Sequence, residues 1–291
     1  MSSDTNIEWA DDTTSPWWGC SKVSPACTHC YAEGVSARFR RGSWGLTGER
    51  ALRVDACLAD LARFARRGVR EGRPRRVFLG SMCDVFEDRP DLVEPRKRLW
   101  TGLRDVGTRH GSGIRALVLT KRPEHMVAWA AEHGWPGICW AGATVEDQQR
   151  ADERIPYLLR VPARVRFLSV EPALGPVKVG PAIAATGHPD TDYDPAINWV
   201  IVGGESGPHA RPSHPDWFRS LRDQCQSAGV PFFFKQWGEW APIAQTTTPD
   251  NGRPNSVGAE VGERVEAVRV GKHTAGRLLD GRTWDEMPDA D

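Results

Sequence analysis

No stretch of this 291-residue chain comes near the roughly 20 consecutive apolar residues that a membrane-spanning helix requires. The opening MSSDTNIEWADD is polar and acidic and lacks the basic-then-apolar order of a secretory signal. Both absences predict a cytoplasmic protein that makes no membrane contact. Net charge is missing too: 38 Lys and Arg stand against 38 Asp and Glu, so there is no overall pull toward nucleic acid. The chain carries no internal repeat, and GGESG at 203–207 lacks the further glycine and the lysine of a phosphate loop. Cysteine is scarce and odd in number, at seven. In a reducing compartment, cysteines that do cluster point to metal binding or redox work before disulfides.

What is present is a rhythm of short apolar runs. Strands are expected at 6–10, 76–81, 115–120, 138–145, 164–171, 198–204 and 231–237, with helical patterns between most of them. Arg50 to Arg67 carries Val54, Cys57, Leu58, Leu61 and Ala65 at helical spacing with Gly68 as a stop, and DWFRSLRDQCQSAG ends at Gly229 in the same manner. Near-continuously apolar strands alternating with helices predict a parallel sheet covered on both faces. Most of these runs turn polar as they finish, and a β/α barrel builds its active site on that rim. The fold class expected is α/β, a partial (β/α) TIM-like barrel of six to seven parallel strands. Residues 1–240 form the barrel, with a cysteine loop at 17–33, and 241–291 form a mobile loop and a small C-terminal appendage. The turn-rich 178–196 reads as a loop before the strand at Trp199.

The loop reads WWGCSKVSPACTHCYAE. It places Cys20, Cys27 and Cys30 within eleven positions and offers no fourth cysteine. A structural zinc is closed by four protein ligands, and His29, wedged between Cys27 and Cys30, is the one neighbour able to complete the set. A 4Fe-4S cluster held by three cysteines leaves one iron open to an exogenous chelate, and S-adenosylmethionine binds such an iron through its amino and carboxylate groups. Both readings stand on the sequence, the second with a cofactor loop on the same rim as the other polar strand ends.

The phrases WWGCSKVSPACTHCYAE, FLGSMCDVFED, LTKRPE, TVEDQ, SVEPALGP, VGGESG, FFFKQWG and AGRLLDGRTWDEMP, spread over nearly the whole chain, resemble the three-Cys-motif protein family first named from phage genomes. That family's cluster loop and strand order in turn resemble the radical S-adenosylmethionine enzymes. The resemblance implies a partial β/α barrel with a 4Fe-4S cluster on Cys20, Cys27 and Cys30, reductive cleavage of S-adenosylmethionine, and a reductase or flavodoxin-type electron donor. The spacing here is C-x6-C-x2-C in place of the superfamily's C-x3-C-x2-C. His29 occupies the place of the aromatic residue that packs on adenine. Ser81 and Asp84 replace the glycine-glycine-acid phrase that holds the methionine amine, and Thr144, Glu146 and Glu171 would face the ribose and the amino acid end.

Other residues carry paired readings. Cys57, Cys139 and Cys225 fall inside predicted elements and read as core. Cys83, just past the second strand, reads either as buried or as a hydrogen-atom donor to a substrate radical. Gly203 and Gly204 with Glu205 form either a turn that lets a cofactor approach the backbone or a plain strand-to-helix turn. Lys235 reads as an anion-binding rim residue or as a partner of Glu171 or Glu205. Thirteen tryptophans are present; Trp17, Trp18, Trp44, Trp237 and Trp240 are candidates for stacking on a base, against a core role. Twelve arginines between Arg38 and Arg76 face only four acids in the same window, which makes a nucleic-acid component the first choice of substrate or partner. The alternative function is a non-catalytic metal-stabilised scaffold, with zinc or iron-sulfur, that recruits a partner enzyme.

Overall fold

In the computed structural model, which describes residues 4–183, 196–242 and 267–289, the chain begins with β1 (Asp12–Thr14), a hairpin of β2 (Trp17–Trp18) and β3 (Ala51–Leu52) around α1 (Tyr31–Phe39), and α2 (Val54–Glu71). Then strands and helices alternate: β4 (Arg75–Leu79), α3 (Val93–His110), β5 (Ile114–Thr120), α4 (Pro123–His133), β6 (Cys139–Thr144), α5 (Gln148–Leu158), β7 (Arg166–Val170), the one-turn α6 (Gly180–Ile183), β8 (Trp199–Gly203), α7 (Pro215–Ala228) and β9 (Phe232–Gln236). A short antiparallel pair, β10 (Trp240–Pro242) with β11 (Ala267–Arg269), and α8 (Lys272–Ala275) complete it. The large sheet has seven strands in the order β1-β4-β5-β6-β7-β8-β9, all parallel, and curls into a half-barrel, as expected of a partial TIM-like α/β fold. Among the described residues no helix is long and apolar enough to cross a membrane.

Strand alternation explains both cores. Side chains at i and i+2 share a face, so Val77, Val118, Ala141, Leu168, Val200 and Phe234 meet the helices. The intervening positions bring Leu117, Trp140, Phe167, Trp199 and Phe233 to the inner face, where Trp9 joins them. Large rings fill the lower part of that face: Trp199 lies 5.8 Å from Phe167 and 6.1 Å from Phe233. Two residues further along the same strands the inward positions become Leu119, Gly142, Ser169, Ile201 and Lys235. The aromatic plug therefore gives way to polar groups and space at the C-terminal ends.

Gly142 shows how tightly the plug is built. A Cβ there would lie 2.2 Å from Phe167 Cζ, so the ring crosses β6 only because no side chain intervenes. Gly142→Ala is expected to destabilise the protein by about 1–3 kcal/mol through overpacking. Urea unfolding checks this; an unchanged midpoint would show that the ring can move aside.

Three expectations are corrected. The first strand is Asp12–Thr14, which pairs with Val77–Leu79; residues 6–10 instead turn, with the Ala10 amide bonded to the Ile7 carbonyl at 3.1 Å. Their alternation is real, because Ile7 and Trp9 both pack on the inner face of the sheet, but a turn satisfies it as well as a strand. α2 runs through Gly68 and stops at Gly72, which adopts φ 69°. Gly68 marks a close approach, its absent Cβ falling 2.0 Å from the Gly113 carbonyl oxygen. The loop expected at 178–196 opens with α6, and the rest of it, 184–195, lies outside the described residues. So does 243–266, which holds most of the segment expected to be mobile. The described appendage lies along β9: the Phe234 amide donates to the Trp284 carbonyl at 2.9 Å and Phe233 bridges Asp285, which covers an edge strand that would otherwise be unpaired.

Candidate functional site

The cysteine loop follows β1 and is pinned at its start by the pairing of Trp17 with Leu52 and Trp18 with Ala51. Pro25 begins a single 3-10 turn that ends at Cys27, and Cys30 is the residue before α1, in extended conformation. The three thiols thus leave the backbone from three different settings. All are free and half-buried, and all line one cavity of about 620 Å³ at the C-terminal ends of the strands. That volume suits a small-molecule site, for which roughly 300–1,000 Å³ is usual.

Four strand ends hold the loop. After β4, Asp84 takes four donors: the Phe86 amide (2.9 Å), the Thr120 hydroxyl (2.7 Å), the Lys121 amide (3.1 Å) and Arg122 Nη1 (2.8 Å). After β5, Arg122 also donates to the Ser21 carbonyl (2.9 Å) and hydroxyl (2.8 Å), and its Nη1 reaches Cys20 Sγ at 3.9 Å. After β6, Glu146 is fully buried, takes the Ala26 amide at 3.3 Å and pairs with Arg154 at 2.8 Å. After β8, Glu205 is gripped by Arg211 at 2.7 and 2.5 Å, contacts His29 Nδ1 at 3.3 Å, and leaves Arg211 to donate to the Pro25 carbonyl at 3.1 Å. A further buried pair lies behind: Glu87 accepts from Ser21 Oγ at 2.6 Å and from Arg50 at 2.7 and 2.8 Å.

The charges follow this wiring. Burial opposes ionisation of Asp84, Glu146 and Glu205, yet each carboxyl is held below its ordinary value: Asp84 by the Arg122 charge and its hydrogen bonds, Glu146 by the Ser24 hydroxyl and Arg154, Glu205 by Arg211 and His29. Burial pushes the Cys20 thiol up to about 12, with Asp84 adding to the rise and Arg122 opposing it, and burial likewise raises Cys83. A carboxyl depressed on folding stabilises above its unfolded pKa and loses that contribution as pH falls through the folded one. Amide protection of residues 20–29 is therefore expected to stay level from about pH 8 to 5 and to collapse only below the usual carboxylate range near 4. Loss of protection between about pH 8 and 5 would contradict this.

The cavity brings most of the sequence candidates together. Cys20, Cys27, Cys30 and His29 form one wall, and Ser81, Cys83 and Asp84 the next. Thr144, Glu171, Gly204, Glu205 and Lys235 line the remainder. Glu146 and Gly203 do not line it. Glu146 is turned onto the cysteine loop, and Gly203 is backed by Glu171, whose Oε1 would lie 3.0 Å from a Cβ placed there. Gly204 is a close approach between loops, since a Cβ would fall 1.8 Å from the Trp237 carbonyl oxygen. Lys235 pairs with Glu171 at 3.1 Å, and Cys83 is half-buried against the cavity. Glu171 takes the Trp9 indole N–H at 3.2 Å and the Ser169 hydroxyl at 3.3 Å on Oε2. Its Oε1 is buried and is the oxygen that Lys235 Nζ approaches at 3.1 Å.

A single model matches the chain from residue 4 to residue 288, described as "Protein of unknown function (DUF5131)". The chain belongs to that family. All eight phrases that carry the resemblance fall inside the matched residues. No curated protein matches. Among solved structures, the chain is similar to spore photoproduct lyase complexed with dinucleoside spore photoproduct, at 10% identity over 75% of each chain with a TM-score of 0.45. It is also similar to a cysteine-to-alanine mutant of that enzyme with the same ligand, at 12% identity and a TM-score of 0.41 over 87% of this chain and 66% of the other. A tyrosine-to-phenylalanine mutant of the lyase matches at 11% identity with the same TM-score and coverage.

Sequence reading misses the residues that complete the site. Arg122 lies within LTKRPE, where a cation beside a strand end is visible. Arg211, Arg154 and Ser21 give no signal. Tyr31, directly after Cys30, lines the cavity and donates its hydroxyl to the Ser81 carbonyl at 2.9 Å. Of the candidate stacking rings, Trp17, Trp18 and Trp237 are buried and Trp44 lines the cavity. Seven of the twelve arginines, Arg50, Arg53, Arg63, Arg67, Arg73, Arg75 and Arg76, are ion-paired, several to Asp4, Asp11, Asp12 and Glu87 from outside the window. Arg38, Arg40 and Arg41, at the outer end of α1, are exposed, with Arg41 over the Trp18 ring at 5.8 Å.

Proposed function

We propose that this protein is an iron-sulfur enzyme that binds a 4Fe-4S cluster through Cys20, Cys27 and Cys30 and cleaves S-adenosylmethionine reductively, to modify or repair a nucleic-acid component. The observation that carries the reading is the convergence of three free thiols from one loop on a single cavity at the C-terminal rim of a parallel half-barrel. The donor set fits a cluster. A structural zinc takes four protein ligands, whereas three thiolates without a fourth cysteine are the set that a cluster with one open iron takes. A cubane offers its irons at separate corners, so its thiolates stand apart around a volume.

When bound, the cluster and S-adenosylmethionine supply one-electron reductive chemistry, and the chain supplies binding, orientation and exclusion of water. In this reading His29, Ser81, Thr144 and Gly204, which line the cavity, contact the cofactor. Asp84, Glu146 and Glu205 hold the loop that carries the cysteines, so their effect on cofactor binding runs through its shape. Cys83 lines the cavity and is kept protonated by burial, as a hydrogen-atom donor must be, and Lys235 with Glu171 forms the polar floor for an anionic substrate. A reductase or flavodoxin-type protein delivers the electron.

Reconstituted protein with dithionite and S-adenosylmethionine is expected to release 5′-deoxyadenosine and methionine without substrate, and Thr144→Val to weaken cofactor binding with iron retained. Absence of any calorimetric signal for S-adenosylmethionine on iron-replete protein would overturn the cofactor assignment. Arg38, Arg40 and Arg41 are exposed cations near the cysteine loop for a nucleic-acid substrate. Its affinity should fall log-linearly with salt, with a shallower slope in the double variant Arg40→Gln and Arg41→Gln. No binding to DNA or RNA at low salt would move the substrate to a nucleotide or another small anion.

A further inference from the structure

We propose that Arg122 is the buried counter-charge that sets the reduction potential of the cluster bound through Cys20, a positioning role that rests on the cluster reading above. Arg122 is 6% exposed and its Nη1 stands 3.9 Å from Cys20 Sγ. The same nitrogen donates to Asp84 at 2.8 Å, while Nη2 donates to both oxygens of Ser21. Ser21 continues to Glu87, and Glu87 to Arg50. Two cations, Arg122 and Arg50, therefore face two anions, Asp84 and Glu87, in one buried network whose cationic end touches the ligand sulfur.

Order within that network matters. One-electron reduction makes or breaks no bond; it adds a negative charge to a centre that already carries three thiolates, so a cation or an N–H donor at a ligand sulfur favours the reduced state. Burial sharpens the effect, because charges inside a protein are screened less than charges in water. Without Arg122, Asp84 and Glu87 would face that added charge with Arg50, on the far side of Glu87, and Arg96, which is bonded to the Val85 and Glu87 carbonyls and makes no contact with the ligand sulfur. Removing Asp84 as well would restore the balance, much as deleting both members of a buried pair costs less than deleting one.

The test is potentiometric titration with dithionite, followed by the electron paramagnetic resonance of the reduced cluster, on iron-replete protein without S-adenosylmethionine. Arg122→Gln is expected to lower the ratio of reduced to oxidised cluster at a fixed poise at least tenfold, a shift of about 59 mV to more negative potential for a one-electron couple. Arg122→Lys should shift it less. Asp84→Asn should move it the opposite way, and the double variant Asp84→Asn with Arg122→Gln should return it toward the wild type. An unchanged midpoint in Arg122→Gln, or a double variant displaced as far as the single one, overturns the proposal. If Arg122→Gln binds no iron, Asp84→Asn alone decides: an unchanged or more negative midpoint overturns it. Wild-type protein that takes up no iron would instead refute the cluster reading, and this inference with it.

Discussion

Replacing Cys20, Cys27 or Cys30 singly by Ala is expected to bring bound iron to background, while Cys57→Ala and Cys225→Ala leave it at the wild-type level. The three loop thiols line one cavity, and the other thiol that lines it, Cys83, comes from just beyond the end of β4 and not from the loop. Cys57 and Cys225 are fully buried in α2 and α7, where their replacement removes a small packing group. That costs about 1 kcal/mol in stability and nothing in metal. Iron analysis after anaerobic reconstitution, with circular dichroism to confirm folding, separates the two sets. A full iron complement in Cys27→Ala would remove the foundation of the site.

Glu87→Ala is expected to produce the largest loss of stability of any single change near the site. Arg50 and Glu87 have side chains 1% and 2% exposed and meet through two hydrogen bonds. Arg50 also serves the carbonyls of Ser43, Gly45 and Gly48, and so shapes the whole turn between α1 and β3. Removing the carboxylate leaves a guanidinium without its counter-ion in the interior, which costs about 3–5 kcal/mol. It also strips Ser21 of its acceptor, so the start of the cysteine loop should loosen together with the fold. Urea denaturation of the apoprotein measures the first effect and hydrogen exchange at residues 19–23 the second. A loss below about 1 kcal/mol would mean that water reaches Arg50 and that the pair belongs to the surface.

Much of this is legible in the sequence because strand positions are. The parallel half-barrel follows from apolar runs spaced by helical patterns, and the polar turn at the end of β4, β5, β6, β7, β8 and β9 places Asp84, Lys121, Glu146, Glu171, Glu205 and Lys235 on one rim. What a strand end does not disclose is whether its carboxylate is already engaged. Asp84, Glu146 and Glu205 all read as cofactor ligands, yet their oxygens are taken by Arg122, Arg154 and Arg211, which lie 38, 8 and 6 residues away. Pairing also reshapes the arginine-rich window. Its excess along the chain is partly offset in space, by Asp4, Asp11 and Asp12 from the N-terminal segment and Glu87 from the loop after β4. The first strand lies further along than its pattern suggests because alternation alone cannot tell a strand from a turn that buries the same two side chains.

The most direct test of the central claim is the electron paramagnetic resonance spectrum of the dithionite-reduced, iron-replete protein, recorded with and without S-adenosylmethionine. A cluster held by only three cysteines should give a signal whose shape changes when the cofactor is added, because the fourth iron exchanges its ligand. A signal indifferent to S-adenosylmethionine, or a protein that purifies with one equivalent of zinc and no inorganic sulfide, would contradict the account.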